Sequence, residues 1–202
     1  SLATIAHLIH ARGLKEAYTH IMQIPRSTVT TWLKPLLDAP APKTPCDNPD
    51  YWLHETMRLM RIDPLHPDHG LLSFYLMNIV HMQAGEGIFQ RARLPHAYLR
   101  GQNIELMAAS NNVLRAGLTH KHVDVPELLR ILDPTASPPT RIAPERVSRA
   151  VSTFYAPVDD FELSDVHLRD ANVRERIRGV GPRTVVCLNG AAQLEANGQV
   201  VD

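Results

Sequence analysis

The chain carries no excess charge of either sign: 21 Lys and Arg stand against 21 Asp and Glu, and the sequence pI is near 7.2. Binding of nucleic acid by bulk charge is thereby excluded, because neutralising phosphates needs a surplus of Lys and Arg. There are only two cysteines, Cys46 and Cys187, far apart and without metal-ligand spacing, so a reduced, cytoplasmic setting is expected. No apolar run approaches the roughly 18 residues of a membrane-spanning helix, and no membrane partner is expected. The opening SLATIAHLIHARG lacks the basic flank and cleavage site of a signal peptide. Aromatics are scarce at 5%, whereas the chain holds 11 histidines and 16 prolines among its 202 residues. With 44% hydrophobic residues it is too apolar for disorder, and its length suits one large domain or two small ones.

The pattern changes near residue 70. Leu2, Ile5, Leu8 and Ile9 recur on one helix face, with Gly13 as a stop, and Leu14 to Gln23 continues with helix formers. Ser27 is a candidate cap for a further helix towards Leu37, its last turn compromised by Pro35. The Pro-rich stretch 39–50 reads as a linker, and a helix over Tyr51 to Arg61 follows with Asp50 as N-cap. Beyond IDPLHPDHG the signals shorten. SFYLMNIVHMQAGEGIF reads as strand, turn and strand, and AYLRGQNIELMA as two further short strands. VDVPELLRIL reads as one helix starting near Pro126. Residues 133–145 form a second Pro-rich linker, after which STFYAPV, FELSDVHL and TVVCLNGAAQLEANGQVV supply more short strands. The expected architecture is a helical domain over 1–62 and an antiparallel β domain, a sandwich or barrel, over 70–202, the whole mainly β. The final hairpin stops just after its Asn197-Gly198 turn, which leaves an unpaired edge and reads as a piece of something longer.

The residues that carry chemistry lie between Gly85 and Leu129. Gly85 and His96 fit the spacing of the second cupin signature, although Arg91 and Arg93 replace its proline and second glycine. The stretch LPHAYLRGQNIELMAASNNVLRAGLTHKHVDVPELL, residues 94 to 129, resembles the type I mannose-6-phosphate isomerases along its whole length. The resemblance extends upstream through GLLSFYLMNIVHMQAGEGIF and, more loosely, to the NPDYW helix and the FELS strand. It implies a cupin-type antiparallel jelly roll with a helical domain, of which this chain holds the helical domain and an incomplete C-terminal cupin part. It further implies a zinc-dependent interconversion of mannose 6-phosphate and fructose 6-phosphate.

Carried over residue by residue, the resemblance makes His96 a zinc ligand, places Tyr98 and Glu105 beside the substrate, gives Arg115 the negative charge of an enediolate to stabilise, and matches Lys121 to a lysine of the family's Thr-Pro-Lys turn. Glu105 and Lys121 join Arg115 as catalytic candidates, and Tyr98, Arg115 and Lys121 are the substrate-binding ones. The residue types suit the reaction. Moving a proton between C1 and C2 needs a base and electrophilic help for an oxygen that turns negative, and Arg stays charged at any working pH. Glu105, flanked by Ile104, Leu106 and Met107, reads as a carboxylate buried in an apolar strand, costly without a partner.

Departures are marked. Asn111 stands in place of an Asp, His120 replaces the Pro before Lys121, and Arg91, Arg93 and Arg100 add positive charge at the rim of the expected pocket. The family's Gln-x-His pair and Glu, three of its four zinc ligands, have no counterpart before the helical region. His66/His69 and His120/His122 have ligand-like spacing in polar turns and read as solvated, and His7 and His10 as surface or packing residues. One histidine cannot hold a catalytic zinc, which takes about three protein ligands. The chain alone is therefore expected to be inactive, with a sugar phosphate as ligand and the missing N-terminal cupin segment as partner. Two other readings are a non-catalytic sugar-phosphate-binding cupin module and a different cupin metalloenzyme.

Overall fold

Helix formers with a 3.6-residue apolar period open the chain, and they fold accordingly. The computed structural model describes residues 1–44, 47–110, 112–170, 172–177, 179, 181–196 and 198–201, and divides into two units, Ser1–Val166 and His167–Asp202. In the first unit, helices α1 (Leu2–Arg12) and α2 (Leu14–Gln23) meet at Gly13, whose φ of 85° is open to glycine at little cost. Helix α3 (Arg26–Asp38) starts directly after Pro25, two residues ahead of the expected Ser27 cap. It passes through Pro35 to Asp38, its last turn bridged by a 2.9 Å Lys34–Asp38 ion pair.

Helix α4 (Pro49–Leu59) begins earlier than expected because Asn48, not Asp50, caps it. The Asn48 Oδ1 accepts from the amides of Asp50 and Tyr51 at 2.9 and 3.4 Å, and Pro49 occupies the first turn, where its missing N–H costs nothing. Asp50 is left to accept a 2.7 Å hydrogen bond from the Tyr75 hydroxyl.

The strand expected from Ser73 does not form at its start: a 3-10 helix, His69–Tyr75, takes in its first three residues. Asp68 caps it by accepting from the Gly70 amide at 2.7 Å, and the adjacent Leu71 and Leu72 are both fully buried. A strand would have sent those two side chains to opposite faces. They join Ile21, Val29, Leu33 and Leu53 in a core that also takes in Leu128 of α5 (Val125–Ile131) and the following Leu132.

Strands are few and short. Strand β1 (Gly87–Phe89) pairs antiparallel with β2 (Thr140–Ile142), and β3 (Glu145–Arg146), β4 (Val151–Phe154) and β5 (Leu163–Val166) form a second antiparallel sheet. Strand β2 lies within the stretch read as a Pro-rich linker, and β3 begins at its last residue. In the second unit, β6 (Leu194–Ala196) pairs with β7 (Gln199–Val201) around the expected turn, whose Asn197 lies outside the described residues. The antiparallel pairing is as anticipated. The mainly-β balance is not: among the described residues helix outweighs strand, and the three small sheets do not close into a barrel.

One crowded position lies within the first unit. Gly117 has φ 128°, and a Cβ there would lie 2.6 Å from the Asp68 Oδ1 and 3.1 Å from the Gly70 Cα. Gly101 has φ 113° but open space around it. Gly117→Ala is therefore expected to destabilise by more than Gly101→Ala, which carries only the backbone strain of about 1–3 kcal/mol. Urea denaturation of the two variants beside the parent chain measures the difference.

Candidate functional site

Among the described residues of 90–124 none joins a ladder, so side-chain contacts rather than sheet pairing hold this segment. On the entry side, Arg91 pairs with Asp133 at 2.8 Å, the Arg93 Nε donates to the Ile131 carbonyl at 2.6 Å, and the Asp133 amide donates to the Arg93 carbonyl at 3.0 Å. This fastens the segment leading to His96 against the end of α5. On the exit side, the Arg100 Nη2 donates to the Tyr51 hydroxyl at 2.9 Å and to the Glu55 Oε1 at 2.8 Å on α4. Its guanidinium lies 5.4 Å from the Trp52 ring centroid and 5.7 Å from that of Tyr51. The three arginines expected as rim charges are thus all engaged within the fold.

Between these anchors three of the five candidate residues converge. The His96 Nδ1 lies 3.1 Å from the Leu94 carbonyl. A carbonyl only accepts, so Nδ1 is the donor in this contact, and in the neutral ring Nε2 is then the bare nitrogen. That Nε2 faces the Glu105 Oε1 at 3.8 Å, beyond hydrogen-bond range. The Tyr98 ring stands edge-on to His96, centroids 6.1 Å apart, with the Glu105 carboxylate and the Asn103 side chain in the neighbourhood of its hydroxyl. Partial burial first, then the Glu105 carboxylate, push the Tyr98 phenol up to about 12. Asn103 was not singled out from sequence; its place in the Gly-Gln-Asn turn two residues before Glu105 was the available signal.

Glu105 departs from expectation in its surroundings. It is not buried in a strand: its side chain is 48% exposed, and Ile104, Leu106 and Met107 beside it are exposed as well. The alternating pattern was present, but no partner strand among the described residues pairs with it. The carboxylate therefore meets water on one side and Tyr98 on the other, which removes the desolvation cost inferred from sequence.

Arg115 and Lys121 sit on a separate loop that Asp68 holds through the Leu118 amide at 3.0 Å. The Arg115 guanidinium is half-buried and has no hydrogen-bond or ion-pair partner among the described residues. Lys121 is exposed, and only its backbone amide is tied, to the Thr119 hydroxyl at 3.1 Å. No hydrogen bond or ion pair joins either residue to the His96 group. Asn111 lies outside the described residues.

The other histidine pairs are not ligand sets. His66 bonds Asp63 at 2.8 Å, while the His69 Nε2 turns inward to the Ile24 carbonyl at 2.7 Å, so only the first of the two is solvated as expected. Among the described residues no group of three or more His, Cys, Asp or Glu side chains could hold a metal ion. His96 and Glu105 make two potential donors where a catalytic zinc needs about three protein ligands, so the residues present do not complete a zinc site. An open cleft beside the start of α4, lined by Asp47, Phe74 and Tyr75 among others, contains none of the candidate residues.

Comparison with known proteins places this geometry. No family model matches the chain. Among curated proteins it is similar to the mannose-6-phosphate isomerase of Shigella flexneri, 34% identical over 200 residues that cover 94% of the chain and 47% of that protein. It is also similar to that of Escherichia coli K12, 38% identical over 144 residues, 69% of the chain and 35% of that protein. Among solved structures, mannose 6-phosphate isomerase from Salmonella typhimurium bound to its substrate f6p and zinc aligns with TM-score 0.62 and 33% identity, covering 80% of the chain and 41% of that protein. Sequence and structure thus agree on the class: the chain is similar to part of the phosphomannose isomerases. The curated proteins it matches are mannose-6-phosphate isomerases, and the chain spans less than half their length.

The Tyr98 geometry has a measurable consequence. Its folded-state pKa lies above the ordinary value of 10, so the stabilisation from keeping the phenol protonated is full below pH 10 and lost as pH rises towards about 12. Phenolate absorbance near 295 nm, taken as the difference between the parent chain and Tyr98→Phe, is expected to rise near pH 12. In Glu105→Gln it rises at lower pH, without returning fully to 10 because burial remains.

Proposed function

We propose that this chain is part of a zinc-dependent aldose–ketose isomerase that interconverts mannose 6-phosphate and fructose 6-phosphate, and that it contributes substrate-handling residues rather than a complete metal centre. The observation that carries the reading is the convergence of His96, Tyr98 and Glu105 on one anchored loop, inside a stretch matched by mannose-6-phosphate isomerases. A structure of such an isomerase with f6p and zinc bound supports the ligand and the metal.

The chemistry follows from what each side chain offers. Glu105 is a half-exposed, acceptor-only carboxylate beside Tyr98, suited to taking a proton or holding a sugar hydroxyl. Arg115 has its donors free among the described residues, as a group needs in order to receive a developing oxyanion. Lys121, exposed on the same loop, suits the phosphate. The His96 Nε2, bare in the tautomer fixed by Leu94, is a competent metal ligand. The ligand set is incomplete in this chain, and the remaining donors belong to a further segment equivalent to the N-terminal cupin part of the relatives. On this reading residues 1–62 are the helical domain, 70–202 belong to a cupin-type jelly roll, and the protein works in the cytoplasm.

A turnover assay with mannose 6-phosphate, with and without zinc, tests the proposal. The 202-residue chain alone is expected to be silent. Co-expression with the part of the Shigella flexneri relative that the chain does not match is expected to give zinc-dependent turnover, cut by His96→Ala at least 100-fold, about 2.7 kcal/mol on the barrier. Turnover by the chain alone, abolished by His96→Ala, would show that the ligand set is complete here and overturn the partial-site reading. Silence in both preparations with retained fructose 6-phosphate binding would favour the non-catalytic sugar-phosphate module.

A further inference from the structure

We infer that Arg100 is a positioning residue for the His96–Tyr98–Glu105 group, holding its loop against α4 in place of strand pairing. The inference rests on the reading of that group as the functional site. The loop from Arg93 to Arg100 makes no ladder, so its conformation depends on its two ends. Arg93 is fixed to the Ile131 carbonyl, and Arg100 to Tyr51 and Glu55. Only six residues lie between the two arginines, and they include His96 and Tyr98. A segment that short has little freedom once both ends are held, and regains it when one is released.

The far anchor is well built. Glu55 is only 16% exposed and is itself gripped by Arg58 through both carboxylate oxygens at 2.9 Å, so it presents a fixed acceptor. Trp52, 5% exposed, gives the guanidinium a rigid ring to lie against. Donating to two oxygens while stacking on an aromatic face is a task for arginine; a lysine ammonium keeps only the point charge. Directly after Arg100 the chain turns at Gly101, φ 113°, and five residues beyond Arg100 is Glu105. The same anchor therefore sets where Glu105 returns to meet Tyr98.

The test is NMR on the whole 202-residue chain. In the parent, backbone order parameters over 96–105 are expected near 0.85, the rigid range, and the His96 ring 15N shifts report Nδ1 protonation. In Arg100→Ala the order parameters fall below about 0.6 over 96–105 only, and the His96 shifts move to a mixture of tautomers, while α4 keeps its signals. Arg100→Lys gives an intermediate result. Glu55→Gln, which keeps the helix and weakens the acceptor, moves the same signals in the same direction. Unchanged order parameters and an unchanged His96 tautomer in folded Arg100→Ala would overturn the inference. Fructose 6-phosphate added to the parent chain reads the functional proposal separately. Absence of shifts at Arg115 and Lys121 would count against the isomerase reading and leave the anchoring result standing.

Discussion

A single carboxylate oxygen holds the first unit to its candidate site. The Asp68 Oδ1 accepts from the Gly70 amide at 2.7 Å and from the Leu118 amide at 3.0 Å, fifty residues further along. The first bond starts the 3-10 helix that delivers Leu71 and Leu72 to the core; the second fixes the loop carrying Arg115 and Lys121. Hydrogen bonds to a charged acceptor contribute roughly 1.5–3 kcal/mol each, more than ordinary ones. Their closeness explains the two glycines beside them. At Gly117 a side chain would collide with Asp68, and at Gly70 a Cβ would lie 2.9 Å from the same oxygen and 3.0 Å from the Leu118 Cγ. The core and the loop are therefore one construction, and the Gly-Leu-Thr turn cannot shift without uncapping the 3-10 helix.

The remainder of the site region is held in a different way. Residues 94–109 carry the alternation of a strand, yet Ile104, Leu106 and Met107 are exposed and the backbone lacks a ladder. Arginines supply the order that pairing would have given: Arg91 and Arg93 to the end of α5, Arg100 to α4. Each reaches across about forty residues of sequence, or more, to an element already fixed by the core. Rigid helices thus position a loop that has no regular structure, a common arrangement where loops carry the reactive groups.

How much was legible in the sequence depended on whether local signals and tertiary packing agreed. Helices α1, α2, α4 and α5 were readable because apolar period, Pro49 or Pro126 near the first turn, and Gly13 all pointed the same way. The start of α4 was misplaced because Asn48 and Asp50 are both good caps, and the choice turned on Tyr75, which engages Asp50 from another element. The strand expected from Ser73 was misread at its start because a short apolar run suits a strand or a buried helical turn equally. Strand β2 was hidden by Pro138 and Pro139, and it forms because β1 offers its edge. Of the site residues, His96, Tyr98 and Glu105 were named from sequence and do meet. The arginine anchors were seen as charges, since stacking on Trp52 and a bond to Glu55 are contacts between segments some forty-five residues apart.

The geometry of the His96 group and the completeness of a metal site are separable properties. Everything that orients His96 lies in this chain: the Leu94 carbonyl chooses its tautomer, Tyr98 abuts its ring, and the arginines fix the loop ends. None of these contacts depends on a metal or on a further ligand. A ligand whose free nitrogen is already chosen and aimed loses little freedom on coordination, so pre-organisation of this kind favours binding once other donors arrive. Two donors cannot by themselves hold a zinc of catalytic type, which needs about three and an open position. On the proposed reading, the chain therefore supplies a pre-arranged part of a metal site, and the donors that complete it come from a further segment.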